Sequence, residues 1–300
     1  PALALGALDA SLSLQPIANA SAQRFRLAAD GKAAGLSLAD PGLSEALGDS
    51  ATLVVRGVVD DKGVADLTDA RISSPNLAFS FNGLAGAALL AGGARGEITR
   101  LSAFSTLASR PLAGRAALQM AVQGDPSRSA INATLDGVAT ELSLGDAIAD
   151  RLTGRRVTLT GSARTAPGAV TLDKLTAQGR FISATLDGRL AANDLDLGVA
   201  LSLPDLAKAD ARLSGAARVE ARATGEAADP SVTLTASSAA MTALGKPLRN
   251  MALNFTGRRL VAALDLAAKA TGDVDGKPLA VDVKAAGTDG GWTLDTLLLR

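Results

Sequence analysis

The sequence contains no cysteine, no histidine and no tyrosine, and it has one tryptophan and six phenylalanines in 300 residues. Zinc sites of the common kinds use cysteine or histidine ligands, so the composition excludes them. Serine and cysteine hydrolases that depend on a histidine base are excluded for the same reason. Stacking platforms for single-stranded nucleic acid need several aromatic rings, which this chain lacks. We therefore expect a protein that is not an enzyme and that holds no metal and no cofactor.

The sequence also lacks an excess of charge of either sign, because 30 basic residues balance 30 acidic residues. Nucleic-acid binding depends on a basic surplus or a basic stripe, so we expect no nucleic-acid partner. No stretch approaches the roughly 18 to 20 apolar residues of a membrane-spanning helix. No signal peptide is visible. The chain begins at Pro1 without a methionine, and we expect it to be a segment excised from a longer protein.

Patterns typical of β-strands dominate the sequence. The segment Asp194–Leu203 alternates apolar and polar residues with the period of two that a strand requires. Similar alternation recurs along the whole chain, separated by Asn-Gly or Asp-Gly pairs that favour tight hairpin turns. We expect such turns at Asp30-Gly31, Asn82-Gly83, Asp136-Gly137, Asp187-Gly188, Asp275-Gly276 and Asp289-Gly290. A few short helices are expected at Gly42–Leu47, Leu84–Ala91, Leu101–Ser109, Gly145–Leu152 and Leu206–Ala209.

The second third of the chain repeats the pattern of the first third. Three pairs of segments match in the same order: Leu67–Gly83 with Leu172–Gly188, Gly114–Gly124 with Gly215–Gly225, and Ala51–Gly57 with Arg155–Gly161. A fixed period of this kind predicts tandem units of about 100 residues. We predict the end of a preceding repeat at 1–40, repeat units at 41–140 and 141–243, and the start of a further repeat at 244–300, all within one continuous β structure.

Two all-β arrangements would satisfy the alternating apolar faces. A β-sandwich packs two sheets over a dry core. An elongated sheet curled into a U-shaped trough instead leaves its apolar face lining a groove. We expect the curled sheet, because the period is tandem and the inward residues are small, and we keep the β-sandwich as the alternative.

The residues that we expect to line such a groove are the apolar members of the alternating segments. In a sandwich the same residues would form the dry core. They are Val157, Leu159, Ile182, Leu186, Leu195, Leu197, Val199, Leu201, Val232, Leu234, Leu264, Leu266, Val281 and Val283.

Several segments in order give the chain a family resemblance. They are Asp146–Gly161 (DAIADRLTGRRVTLTG), Leu172–Gly188, Leu201–Gly215 (LSLPDLAKADARLSG), Gly225–Leu234 (GEAADPSVTL), Asp275–Val281 (DGKPLAV) and Gly291–Leu299 (GWTLDTLLL). With these segments the chain resembles the TamB family, the inner-membrane-anchored subunit of the translocation and assembly module. That family is grouped with the AsmA-like proteins and with the bridge-like lipid-transfer proteins.

The resemblance implies a fold, a location and a role. The fold would be a β-taco, a U-shaped sheet with a hydrophobic interior. The location would be the periplasm of a Gram-negative bacterium, with the full-length protein anchored in the inner membrane. The role would be transport of phospholipids, bound by their acyl chains, between inner and outer membranes in outer-membrane biogenesis. An Omp85-family partner would be contacted through parts outside this segment.

Two other functions remain open from the sequence. The first is a scaffold for outer-membrane β-barrel or autotransporter assembly, in which sheet edges receive strands of the client. The second is a structural all-β stalk with a closed core. Asp273-Val-Asp275-Gly276 resembles the start of a calcium loop, but Lys284 stands where that loop needs a bidentate glutamate, so a hairpin turn is predicted instead.

Overall fold

The structure is a computed structural model, and it describes residues 3–4, 6–18, 23–258, 265–288 and 291–299. It is all-β, with 70% of the chain in strands and two α-helices in the described residues. Nineteen of the strands are arranged as an open antiparallel sheet. The chain divides into two compact units, Pro1–Asp150 with Arg155–Pro167 and Arg151–Gly154 with Gly168–Arg300, and each unit is described by itself.

In the first unit, strands follow one another as an antiparallel meander. Its nine long strands pair with one another in chain order, while its two strands of only two residues pair with each other. The elements are β1 (Leu3–Ala4), β2 (Ala7–Pro16), β3 (Arg24–Ala34), β4 (Ser37–Leu38), α1 (Pro41–Leu47), β5 (Ser50–Asp60), β6 (Ala65–Ser73), β7 (Leu77–Ala85), β8 (Leu90–Ile98), a 3-10 helix (Leu101–Phe104), β9 (Ala113–Asp125), a 3-10 helix (Pro126–Arg128), β10 (Ala130–Ser143) and β11 (Arg156–Ala166).

The second unit is built in the same way. Its strands pair in chain order, except that β14 pairs with β16 and the short strand β15 pairs with β17. Helix α2 (Ala147–Thr153) contributes residues to both units. The other elements are β12 (Ala169–Gln178), β13 (Ser183–Ala191), β14 (Asp194–Leu203), a 3-10 helix (Leu206–Lys208), β15 (Leu213–Gly215), β16 (Ala217–Glu226), β17 (Ser231–Ala243), β18 (Lys246–Arg258), β19 (Asp265–Val274), β20 (Lys277–Thr288) and β21 (Gly291–Leu299).

Strand register gives the sheet of the first unit two chemically different faces. Between β9 and β10, Leu118 stands opposite Gly137 and Met120 opposite Leu135, while Gln119 stands opposite Asp136 on the other face. Because alternate residues of a strand point to opposite faces, the pairing register carries this division into two faces from strand to strand across the unit. We call the first of these surfaces the apolar face of unit one; its large members are Leu8, Leu12, Leu14, Phe25, Leu27, Leu53, Val55, Val59, Leu67, Ile72, Leu77, Phe79, Phe81, Leu90, Ile98, Leu118, Met120, Val122, Ile131, Leu135, Val157 and Leu159.

Tight burial occurs mainly where helices meet the sheet. The buried apolar residues are Ala46, Ala94, Ala103, Leu142, Leu152 and Leu206, and no large side chain of the described residues is fully buried. Helix α1 contacts the 3-10 helix at Leu101–Phe104, and Asn76 Nδ2 donates to the Glu45 carbonyl at 3.1 Å. Apart from the β1–β4 pair, the strands of each unit form one sheet rather than two sheets packed over a dry core, so the sandwich alternative is not what the structure shows.

Most of the predicted Asn-Gly and Asp-Gly turns are wrong. Asp30-Gly31, Asn82-Gly83, Asp136-Gly137 and Asp187-Gly188 lie inside β3, β7, β10 and β13. At Gly83 and Gly188 the glycine is needed for a different reason, since both have positive φ (139° and 134°) and face a carbonyl oxygen of the next strand. Asp275-Gly276 is a turn, as predicted, with φ of 54° and 79°, and Asp289-Gly290 lies outside the described residues.

The helix predictions are confirmed in full where an aspartate side chain, Asp40 or Asp146, accepts from a backbone N–H of the first turn. Helices α1 and α2 confirm two of them, and 3-10 helices occupy part of the predicted segments at Leu101–Ser109 and Leu206–Ala209. The predicted helix at Leu84–Ala91 is wrong, because these residues end β7 and begin β8, with Gly86 N donating to Leu89 O at 2.7 Å in the hairpin between them. Alanine and leucine favour helix locally, but strand pairing prevails there.

The order of elements recurs along the chain. Helix α1 precedes four strands, a 3-10 helix and two long strands that a second 3-10 helix connects. Helix α2 precedes a similar series, in which the short β15 is added and a turn replaces the second 3-10 helix. A bulge follows Leu67 where it stands opposite Gly83, and another follows Leu172 where it stands opposite Gly188. The tandem repeat, its boundaries and the curled shape of the whole sheet stay predictions.

Candidate functional site: an exposed apolar face

Strand β14 carries four of the predicted lining residues on one face. Leu195, Leu197, Val199 and Leu201 alternate along the strand, and Val199 stands opposite Leu186 of β13. On the other side of β14, the same four residues stand opposite Gly225, Ala223, Ala221 and Val219 of β16. Three of these four large side chains therefore meet glycine or alanine on β16, which leaves a shallow apolar surface there.

The face continues through the remaining strands of the second unit. Val232 and Leu234 of β17 stand opposite Ala223 and Ala221 of β16. Further along, Leu266 of β19 stands opposite Gly257 of β18. The structure thus places ten of the predicted residues on what we call the apolar face of unit two: Leu186, Leu195, Leu197, Val199, Leu201, Val232, Leu234, Leu266, Val281 and Val283.

Four predicted residues do not belong to this set. Val157 and Leu159 of β11 lie in the first unit, on its apolar face, opposite Ala139 and Gly137 of β10. Ile182 precedes β13 and lies in a turn, where its carbonyl accepts from Gly179 N at 2.9 Å. Leu264 lies outside the described residues.

The prediction missed most of the apolar face of unit one. Phe79 and Phe81 of β7 belong to it, as do Leu118 and Met120 of β9. The signal that identifies them is the same two-residue alternation. A glycine on the neighbouring strand β8 makes room for the Phe81 ring, since a Cβ added at Gly92 would lie 2.8 Å from that ring. The Phe81 ring therefore extends across the neighbouring strand and covers its backbone.

Much of the apolar surface remains in contact with solvent. The exposed fraction is 65% at Leu8, 69% at Leu12, 51% at Ile72 and 38% at Val199. Removing apolar surface from water is worth about 25 cal/mol for each Å². An apolar ligand that covered these side chains would therefore gain binding free energy without first displacing a packed protein layer.

The opposite surface, which we call the polar face of each unit, carries ion pairs. Examples are Arg56 Nη2 with Asp30 Oδ1 at 2.7 Å in unit one and Lys269 Nζ with Asp282 Oδ2 at 3.3 Å in unit two. These pairs are largely solvated, so each contributes little stability. Two depressions, of about 390 Å³ in unit one and about 320 Å³ in unit two, are lined mainly by polar-face residues.

Asp150 and Asp210 have their pKa values lowered by hydrogen bonds that their carboxylates accept. The pKa of Asp210 is lowered to about 2, because the Arg212 guanidinium donates to its carboxylate. The pKa of Asp150 is lowered first by the Leu144 backbone N–H and then by the Ser143 hydroxyl, which both donate to it. Among the same residues no group of three acidic side chains is placed to hold a metal ion.

A search of the described helices finds none with the length and apolar character to cross a membrane. Comparison of the chain with protein-family models, with curated proteins and with solved structures finds no match.

Proposed function

We propose that the chain is a periplasmic segment of a TamB-like protein whose apolar faces bind the acyl chains of phospholipids. The sheet would curl into a trough, with acyl chains inside and headgroups in water, and lipid would move along it between the inner and outer membranes. The full-length protein would be anchored in the inner membrane, and an Omp85-family partner would be contacted by parts outside this segment. Its role would be to support outer-membrane biogenesis.

One observation carries this proposal: the apolar positions continue from strand to strand without a charged side chain while remaining open to solvent. In the second unit this holds from Leu195 to Leu201 on β14, from Val232 to Ala236 on β17 and from Val281 to Ala285 on β20. A protein that used these residues only as a core would cover them with a second layer. Within each unit, the described residues provide no such layer over the strands.

The free energies favour acyl chains as the ligand. Moving one methylene group from water to apolar surroundings is favourable by about 0.8 kcal/mol of free energy. A surface of Leu, Val and Ala offers no directional hydrogen bond that would hold a ligand in one place. Such a surface therefore binds a chain of methylenes while allowing it to slide, which is the property that lipid transport requires.

The test is to purify the chain, incubate it with phosphatidylethanolamine–phosphatidylglycerol vesicles, separate it from the vesicles and quantify extracted phospholipid by mass spectrometry. We expect bound phospholipid in the unmodified chain and loss of most of it in Leu197→Asp, because a carboxylate on the apolar face must be desolvated by the ligand. Ala200→Asp is the matched control, since Ala200 lies on the polar face of the same strand. Equal binding by both variants, with unchanged circular dichroism, would contradict the proposal.

A second function, a scaffold for outer-membrane β-barrel strands, is favoured by a different observation. Strands β2 and β21 each pair on one side only in the described residues, and both are nine or more residues long. An unpaired strand edge offers a row of backbone donors and acceptors to another strand.

Photo-crosslinkers at Ser11 on β2 and at Ser80 in the interior of the same unit separate the two functions. The scaffold predicts cross-links from Ser11 to strands of a nascent barrel and none from Ser80. Lipid binding without barrel cross-links would leave transport as the function.

A further inference from the structure

The polar face of unit one contains a row of directly opposed polar residues that crosses five strands. Arg71 of β6 stands opposite Ser80 of β7, which stands opposite Arg95 of β8. The row continues to Gln119 of β9 and Asp136 of β10. All five residues line the depression of about 390 Å³.

The floor of this depression is formed by residues with little or no side chain. Gly93 of β8 and Ala121 of β9 stand opposite each other, beside the row of polar residues. Asn82 stands opposite Gly93 on the other side, and its Oδ1 lies 3.1 Å from the point that a Cβ on Gly93 would occupy. Longer side chains therefore surround a space that the small residues leave open.

The two arginines differ in how far their charge is compensated. Arg71 Nη2 lies 3.4 Å from Asp69 Oδ1, a long ion pair with a solvated arginine. Arg95 has no ion-pair partner in the described residues. One strand separates them, so their backbones are about 10 Å apart, and side chains as long as arginine can converge over Ser80 from both sides.

We propose that this depression binds the phosphate group of a small soluble phosphorylated molecule. Arg71 and Arg95 would donate to phosphate oxygens from opposite sides, with the Ser80 hydroxyl and the Asn82 amide as further donors. The guanidinium fork matches the oxygens of a phosphate, and such charge-assisted bonds are stronger than neutral ones. Gln119 and Asp136, at the far end of the row, would meet hydroxyl groups of the same molecule. The site lies on the polar face and does not depend on acyl-chain binding.

The second unit supplies a matched control. Its depression of about 320 Å³ is lined by Asp187, Gly198 and Ala200, with Asp187 opposite Gly198 as Asn82 is opposite Gly93. At the positions of Ser80 and Arg95 relative to that pair, unit two has Thr185 and Ala200. Its own arginine, Arg222, donates to Asp196 at 2.6 Å and is thereby engaged. The unit-two depression therefore has the same arrangement of opposed residues around a glycine, without the free guanidinium.

Isothermal titration calorimetry of the whole chain with inorganic phosphate and with glycerol 3-phosphate, against sodium chloride of equal ionic strength, tests the proposal. We expect saturable binding of both ligands, weakened about tenfold or more in Arg95→Gln, because the variant loses a charge-assisted hydrogen bond to the phosphate. Arg222→Gln should bind as the unmodified chain does. Unchanged circular dichroism in both variants establishes that they fold.

Three results would overturn the proposal. The first is the absence of saturable binding to either ligand. The second is equal weakening in Arg95→Gln and Arg222→Gln, which would indicate unspecific attraction to basic residues. The third is phosphate recognition seen only with phosphatidylglycerol vesicles and not with glycerol 3-phosphate, which would assign the effect to a lipid surface.

Discussion

Glycine residues inside strands allow neighbouring backbones to approach closely. Gly83 of β7 has φ of 139°, and a Cβ added there would lie 2.3 Å from the carbonyl oxygen of Ala91. Gly188 of β13 has the same conformation and faces the carbonyl oxygen of Asp196. Only glycine occupies such a position without strain.

Replacing Gly83 by alanine should therefore destabilise the first unit. We expect the free energy of unfolding to fall by about 2 to 4 kcal/mol, measured by urea denaturation. Gly31→Ala is the control, because a Cβ at Gly31 would lie 3.5 Å from the Cβ of Leu53, an ordinary contact, on the same apolar face. Alanine there should be neutral or slightly stabilising. Equal loss in the two variants would show that close approach at Gly83 is not the cause.

Asp210 is the residue whose protonation responds most clearly to its surroundings. Its pKa is lowered from 3.8 to about 2, first by the side chain of Arg212, whose Nε donates to Oδ1 at 3.0 Å, and then by the Arg212 backbone N–H. A carboxyl whose pKa is lower in the folded state favours folding above its unfolded pKa. That contribution is lost as the pH falls from about 4 towards about 2.

Carboxyl ¹³C chemical shifts measured against pH should give Asp210 a midpoint at about 2. In Arg212→Gln the midpoint should rise towards 3.8, because the largest cause of the shift has been removed. A midpoint that does not change in this variant would contradict the assignment. Asp125, whose lowered pKa depends first on Ser127, serves as an internal reference that should not move.

At the scale of elements, the short helices lie in connections between strands. Helix α1 begins after Asp40, whose Oδ1 accepts from Leu43 N at 2.9 Å, and Pro41 occupies its first turn. The helix is only seven residues long, so capping and packing rather than length must stabilise it. It holds Ala46 buried beside the turn that contains Asn76.

Asp40→Ala should lower the free energy of unfolding by about 1 kcal/mol, because the Leu43 amide loses its acceptor. Hydrogen exchange at Leu43 should accelerate in this variant. Asp40→Asn retains a side-chain acceptor and should leave both quantities close to those of the unmodified chain. If the asparagine variant is as unstable as the alanine variant, the cap does not act through its hydrogen bond.

The strands were predictable as elements, but several of their connections were not. Alternation identified the apolar positions of β14 from the sequence because its period of two is independent of neighbouring strands. The prediction of a turn at Asn82-Gly83 was wrong. A glycine that a turn requires and a glycine that a closely approached strand requires look identical in the sequence. Only the register with β8 distinguishes them, and register depends on residues far apart in the chain.

At the scale of the whole molecule, the two units share one principle: each sheet has an apolar face and a polar face. The two faces were predictable from the sequence, because its alternation places leucine and valine on one side of a strand and charged residues on the other. The sequence-based lining set fell on the apolar faces except at Ile182, in a turn, and Leu264, outside the described residues. The position of a bulge such as the one after Leu67 could not be predicted, because a bulge depends on the register with the neighbouring strand.

The most direct test of lipid binding by the apolar face is site-specific photo-crosslinking in cells. The cross-linking residue is placed at Val199, which is 38% exposed on the apolar face, and separately at Ala200 on the polar face. This pair leaves the ion pair of Asp196 with Arg222 intact. We predict phospholipid cross-linked at Val199 and not at Ala200. Folded protein with no phospholipid at Val199, or with equal amounts at both positions, would contradict acyl-chain binding by this face.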